Sequence, residues 1–273
     1  SSIPEYIGIT TKPYVNIGRM RNSGWDSSLQ YDQKIGQVNF SAMGNFTFAR
    51  NVIEDQDQPD YIEKYMNRTG QARWQTFGYV SDGLFKDEAD IATSPDQSAL
   101  GEVRPGDIKY KDLNNDGVID SKDVKAIGYT DVPEIVYGFG VSAQWKGFDV
   151  SVFFQGNAHV SFSINSSMVR GFTEPKMAAN NVFSDIYGNY WTESNTDAKY
   201  PRLTTTEATN NNQSSDFWLV NGRYIRLKNA EFGYTFPKRL IQKMRLSQLR
   251  VFVSGTNLLT FAPFKLWDPD LQT

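Results

Sequence analysis

The sequence predicts an all-β fold made of antiparallel strands. Three observations support it: many segments alternate apolar and polar residues, the links between these segments differ greatly in length, and no run of about 18 apolar residues could form a transmembrane helix. A period of two places unlike side chains on the two faces of a strand. The strands are therefore expected to separate two different environments.

The first predicted hairpin joins residues 25–33 to residues 38–48. In the second of these segments Val38, Phe40 and Phe46 share one face, and mostly polar residues occupy the other. Only a few residues around Gly36 separate the two segments. A short link of this kind predicts that the two strands are antiparallel neighbours.

Two further hairpins are predicted later in the chain. Residues 138–146 pair with 149–158 through a tight turn, and residues 223–236 pair with 249–261. In the third hairpin the apolar phase changes near Lys228 and Asn229, which predicts a β-bulge.

The remaining links are long, about 52–134 and about 160–221, and they are rich in Asn, Asp, Thr, Gly and Pro. Loops of this length are uncommon in compact domains. Short turns at one end of the strands and long loops at the other are typical of outer-membrane barrels. The mean hydropathy of −0.51 agrees with this pattern, because barrel strands alternate lipid-facing and lumen-facing residues.

Composition excludes several classes of function. The chain has 273 residues, a net charge of −3, no cysteine and a single histidine, His159. A nucleic-acid partner is not expected, because no clustered basic face is evident. Thiolate chemistry is impossible, and histidine-based catalysis and zinc binding are disfavoured. We expect that the chain is not an enzyme and that His159 is a polar residue at the rim of the strands.

Two sequence patterns carry no functional prediction. Residues 138–143 match the dinucleotide pattern G-x-G-x-x-A, but they lie inside an alternating strand instead of between a strand and a helix. The first residues have neither the basic nor the apolar stretch of a signal peptide, so we expect a processed chain or a fragment.

Residues 112–123 match a calcium-binding loop of the EF-hand type, with Asp in place of Glu at position 12. Gly117 stands where the pattern requires a sharp turn. A simple Asn/Asp/Gly turn is the alternative interpretation. We predict a structural Ca²⁺ ion with six ligand residues, of which Val118 would use its backbone carbonyl: Asp112, Asn114, Asp116, Val118, Asp120 and Asp123.

Aromatic residues in the second long link are candidates for stacking on sugar rings. They are Tyr187, Tyr190, Trp191 and Trp218. Packing between loops is the more ordinary role for each of them, so the sequence predicts no particular substrate contact.

Several motifs in matching order resemble SusC/RagA-like TonB-dependent outer-membrane transporters. The chief similarity is DFWLVNGRYIRLKN at 216–229. Shorter segments that also fit are 16–25, 105–112, 200–203, 233–237 and 249–258.

The resemblance implies a fold and a role. Proteins of this family are 22-stranded barrels that import oligosaccharides or peptides, with TonB as the energy source and a SusD-like lipoprotein as a lid. We therefore expect residues 1–273 to form a C-terminal part of the barrel with about six strands, in the lipid of a Gram-negative outer membrane. The two long links would be extracellular, and the final strand, the plug and the TonB-contacting segment would be absent from the chain.

Two other functions remain open on the residues alone. A secreted, calcium-binding β-sandwich that binds carbohydrate would also alternate apolar and polar residues. A glycosidase would need two carboxylates that face a cleft, and no motif selects such a pair among the 31 acidic residues.

Overall fold

The computed structural model describes residues 18–170, 172 and 182–271 of the chain. Asn16 and Ile17 of the family-like segment, and part of the second long link, lie outside them. The strands are β1 Arg19–Ile35, β2 Val38–Asp55, β3 Phe77–Gly78, β4 Ser81–Leu84, β5 Ile108–Tyr110, β6 Lys125–Ala126, β7 Ile135–Trp145, β8 Phe148–Ala158, β9 Ser161–Ser163, β10 Leu219–Asn221, β11 Tyr224–Thr235 and β12 Arg250–Phe261. The helices are α1 Glu88–Thr93, α2 Ser167–Arg170 and α3 Lys238–Ile241.

Six long strands form one antiparallel sheet in the order β1-β2-β7-β8-β11-β12. All three predicted hairpins are confirmed: β1 pairs with β2, β7 with β8, and β11 with β12. The strands are longer than predicted at their outer ends, since β1 begins at Arg19 and β2 continues to Asp55. The predicted bulge is also present, because the register of β11 shifts between Leu227 and Asn229 against both of its neighbours.

Tight turns join β1 to β2 and β7 to β8 at one end of this sheet. Gly36 has a φ of 62° between β1 and β2, and Lys146 and Gly147 have φ values of 48° and 91° between β7 and β8. Two successive positive φ angles match a type I′ turn, whose twist suits a hairpin. A Cβ on Gly147 would lie 2.6 Å from the carbonyl oxygen of Thr235, so the close approach of β11 also requires glycine here.

The two faces of the large sheet differ in chemistry. One face carries apolar side chains that are exposed in this chain, including Phe139, Val141, Val150, Phe232 at 52% and Val253 at 68%. The other face carries Asn39, Ser142, Gln144, Ser151 and Gln155, which alternate with them along the strands. No second sheet covers the apolar face within the described residues, where the other sheets have two strands each. The β-sandwich alternative therefore fails.

The two long links are folded, which the sequence analysis missed. Three small sheets, β3-β6, β4-β5 and β9-β10, lie within residues 56–134 and the described part of 159–223. We call these two segments, together with residues 262–271, the loop layer. Most of the buried apolar residues lie there and pack as one cluster. Its most enclosed members include Ile108, Tyr110, Ile119, Ile186 and Trp218.

Buried polar contacts connect the two long links. The carboxylate of Asp107 is fully buried and accepts hydrogen bonds from Nη2 of Arg202 at 3.2 Å and from Nδ2 of Asn211 at 2.8 Å. The amide of Ile108 donates to Oδ1 of Asn211 at 2.8 Å. Because buried polar groups need partners, these contacts fix how the two links pack together.

The helices of the described residues are short. None of them is long and apolar enough to cross a membrane.

Candidate functional site

The predicted cation loop, residues 112–123, follows β5 and ends in a 3₁₀ turn at Ser121–Asp123. Asn115 and Gly117 have φ values of 61° and 85°, and a Cβ on Gly117 would meet no atom within 4 Å. The backbone therefore makes the sharp turn that an EF-hand-type loop requires.

Polar side chains at the start of this loop bind its own backbone. Oδ1 of Asp112 accepts from the amide of Asn115 at 2.6 Å, and Oδ2 accepts from the amide of Gly117 at 2.8 Å. Oδ1 of Asn114 accepts from the amide of Asp116 at 3.0 Å. These contacts are those of Asx turns, so they fit both the calcium prediction and the simple turn.

Lys122 stands between two of the predicted ligands. Its Nζ lies 3.3 Å from Oδ2 of Asp116 and 3.3 Å from Oδ2 of Asp120. Hydrogen bonds to Asp116 and Asp120 raise the pKa of Lys122, and a hydrogen bond from Asn114 lowers the pKa of Asp116. The lysine thus supplies a positive charge that a cation would otherwise supply.

Two other predicted ligands, Asp123 and Val118, have different surroundings. Asp123 is fully buried, and its two oxygens accept from the amides of Leu113 at 2.8 Å and Asp120 at 2.9 Å. The side chain of Val118 is exposed. Within residues 18–170, 172 and 182–271, no group of three or more His, Cys, Asp or Glu side chains is gathered as for a metal ion. Calcium stays a prediction, and its binding requires that Lys122 leave Asp116 and Asp120.

His159 follows the end of β8 and takes part in a structural contact. Its Nδ1 lies 3.1 Å from Oε2 of Glu134, and its ring stacks on Tyr129 at 4.6 Å between centroids. Glu134 also accepts two hydrogen bonds of 2.7 Å from Arg50. These partners give His159 a role in holding the ends of β2, β7 and β8 together.

The aromatic candidates divide between packing and exposure. Trp218 is 2% exposed and donates from Nε1 to the carbonyl of Asn211 at 2.7 Å, so it belongs to the core. The ring of Trp191 packs closely against Gly106, since a Cβ added to Gly106 would lie only 2.5 Å from the ring. Tyr187 is 74% exposed, whereas Tyr190 and Trp191 are partly buried.

The structure also brings together residues that sequence reasoning missed. A cavity of about 430 Å³ in the loop layer contains Asp185, Lys199 and Tyr200, and Oδ2 of Asp185 accepts from Nζ of Lys199 and from the Tyr200 hydroxyl, both at 3.0 Å. The Lys199 contact lowers the pKa of Asp185, and burial raises the pKa of Tyr200. No local pattern could have found this cavity, because its walls come from distant parts of the chain.

Over almost its whole length the chain is similar to TonB-dependent receptors. No protein-family model matches it. Two similar curated proteins of Formosa agariphila are TonB-dependent receptor P3, 28% identical over 284 residues, and TonB-dependent receptor P26, 26% identical over 289 residues. Each match covers 98% of this chain but only 27% of the relative. The chain therefore spans about a quarter of the length of the curated relatives it matches.

Solved structures agree with the sequence matches. A chain of the RagAB peptide importer in the 'open-open' state aligns with a TM-score of 0.70 at 21% identity, over 99% of this chain and 28% of that chain. The 'closed-closed' state gives a TM-score of 0.66 at 22% identity, over 98% and 29% respectively. The resemblance to SusC/RagA-like TonB-dependent transporters is confirmed. The six-stranded sheet is thus part of a TonB-dependent transporter fold, and the relatives carry the names of receptors and importers instead of enzymes.

Proposed function

We propose that the chain forms a C-terminal part of an outer-membrane transporter that imports nutrient oligosaccharides or peptides with energy from TonB. In this proposal residues 1–273 belong to the barrel wall and its extracellular loops. The plug, the final strand and the TonB-contacting segment would be supplied by other parts of the transporter. The names of the relatives, TonB-dependent receptors and a peptide importer, support this assignment.

The observation that carries the proposal is the unlike chemistry of the two sheet faces. Phe139, Val141 and Val150 lie exposed on one face, where contact with water would be costly. Lipid would cover such a face, while Ser142 and Gln144 on the opposite face would line a polar lumen.

The loop layer supplies the proposed partner surface. Tight turns lie at the opposite end of the strands, as on the periplasmic side of known barrels, so the loop layer would face the outside. There we expect a SusD-like lipoprotein to dock as a lid. The two-component name of the RagAB importer supports a partner for this chain.

Calcium would have a structural role in this arrangement. An ion bound by Asp112, Asn114, Asp116, Asp120, Asp123 and the Val118 carbonyl would hold residues 112–123 in the outer surface where the lid docks. It would take no part in chemistry.

The proposal is tested in the organism that makes the full-length transporter. We expect gentle detergent extraction to yield it together with a surface lipoprotein, and deletion of its gene to abolish uptake of one nutrient oligosaccharide or peptide mixture. Deletion of TonB should abolish the same uptake. Repeated purification of the transporter alone, with uptake unaffected by either deletion, would contradict the proposal.

A further inference from the structure

The lining of the cavity in the loop layer is mostly apolar. Its buried members are Tyr200, Trp218, Phe264 and Ile164, and its partly exposed apolar members include Phe217, Val220 and Leu266. Its volume of about 430 Å³ lies within the range for small-molecule sites, which runs from about 300 to 1,000 Å³. A predominantly apolar cavity of this size suits an apolar group of one or two amino-acid residues.

The ionisable residues that line the cavity are Asp185, Lys199, Tyr200 and Lys265. Asp185 and Lys199 form an ion pair at 3.0 Å, and the lysine contact lowers the pKa of Asp185. Lys265 also lines the cavity, is exposed, and forms no ion pair with a carboxylate in the described part of the chain. The exposed amide of Asn221 lies on the same lining. A ligand with an anionic end would complement this lining.

Arg226 holds the segment that carries Lys265. Its side chain is 4% exposed and forms ion pairs with Asp268 and Asp270, while its Nε donates to Oγ1 of Thr260 at 3.0 Å. Tyr224 adds a hydrogen bond of 2.8 Å to Asp270. The Lys265 wall is thus fixed to the sheet, so the cavity is largely preformed, which lowers the entropy cost of binding.

We propose that this cavity binds the carboxyl-terminal end of a peptide whose last side chain is apolar, an inference that rests on the proposed role in nutrient import. The apolar side chain would lie against Phe217, Val220 and Leu266, and the terminal carboxylate would meet Lys265. A sugar is a poorer match, because its many hydroxyl groups would lose water without finding enough partners on an apolar wall.

The test uses the purified full-length transporter and three probes: N-acetyl-Ala-Phe, its carboxyl-terminal amide, and N-acetyl-Ala-Gly. Isothermal titration should show that the free acid binds about fivefold more tightly than the amide, the size expected for a solvent-exposed ion pair. The Phe peptide should bind at least about tenfold more tightly than the Gly peptide, because it buries a large apolar side chain.

Lys265→Gln is the decisive variant. It should remove the difference between acid and amide while leaving the affinity for the amide unchanged, and Lys243→Gln, an exposed lysine beside α3, should alter neither. Any of four results would overturn the inference. In the parent these are equal binding of acid and amide, equal binding of the Phe and Gly peptides, and no binding at millimolar peptide. In Lys265→Gln it is a difference between acid and amide that persists. TonB-dependent uptake that continues alongside any of these results would leave the proposed import function standing.

Discussion

The large sheet and the loop layer of this chain are stabilised in different ways. In the sheet, strands of up to 18 residues pair in regular register, yet apolar residues such as Val253 remain exposed. In the loop layer the regular elements are short, yet Ile108, Tyr110 and Trp218 are almost fully enclosed. The sheet depends on surroundings that the chain does not provide, whereas the loop layer has a core of its own.

The largest expected effect is on the core of the loop layer. Trp218→Ala removes a buried ring and its hydrogen bond to Asn211, which should destabilise the layer by about 3–5 kcal/mol. Hydrogen exchange in the full-length transporter should rise across residues 56–134 and stay unchanged in β7 and β8. Trp74→Ala, at an exposed tryptophan, is the matched control. Equal loss of protection in the sheet would show that the two regions are not independent.

A second comparison separates the two faces of the sheet. Val141→Lys places a charge on the apolar face and should cost about 2–4 kcal/mol in a lipid bilayer. Ser142→Lys, at the next position of β7, places the same charge on the polar face and should cost much less. Both costs are measured as changes in the free energy of unfolding, with each variant folded in lipid vesicles and unfolded with urea. Similar costs for the two variants would contradict a lipid-facing surface.

The predicted calcium ion would add a smaller contribution to the loop layer. With a dissociation constant of about 1 mM, 10 mM calcium would stabilise the loop by about 1.4 kcal/mol. Hydrogen exchange of residues 112–123 should therefore slow in 10 mM calcium, and Asp112→Ala should abolish this protection while Asp131→Ala keeps it. Lys122→Gln should strengthen calcium binding, since it removes the competing ammonium group. If calcium leaves the parent unchanged, the simple turn is the correct interpretation.

The smallest expected effect concerns a partly buried ion pair of the loop layer. Asp90 pairs with Lys109 at 2.8 Å, and this hydrogen bond lowers the pKa of Asp90 below its usual 3.8. The stabilisation is therefore complete above pH 3.8 and is lost as the pH falls through the lowered pKa. Asp90→Asn should reduce the protection of α1 by about 0.5–1 kcal/mol at pH 7. Below the lowered pKa of Asp90, the variant and the parent should protect α1 equally. A difference in protection that persists at that pH would contradict the pairing.

The sequence predicted the sheet well because each paired strand alternates apolar and polar residues over a short stretch of chain. Alternation at 38–48 and the phase change near Lys228 were sufficient to predict the hairpins and the bulge. The contacts of the loop layer have no such local pattern. Asp107 and Arg202 meet across the two long links, and Arg226 meets Asp268 only after the chain returns to the sheet. Contacts of this kind depend on tertiary packing, so the cavity and the ion pairs of Arg226 beside it could not be predicted from local patterns.

The central claim is that one face of the large sheet meets lipid and the other a polar lumen. The most direct test places single spin-labelled cysteines at residues 139–143 of β7 in the full-length transporter. Residues 1–273 contribute no cysteine of their own, and any cysteine elsewhere in the transporter is first replaced by serine. In lipid vesicles, collisions of the label with oxygen should be frequent at Phe139, Val141 and Ala143 and rare at Gly140 and Ser142. Collisions with a water-soluble nickel complex should be rare at the first three positions and frequent at the other two. Equal accessibility at all five positions, or nickel contact at Val141, would contradict the claim.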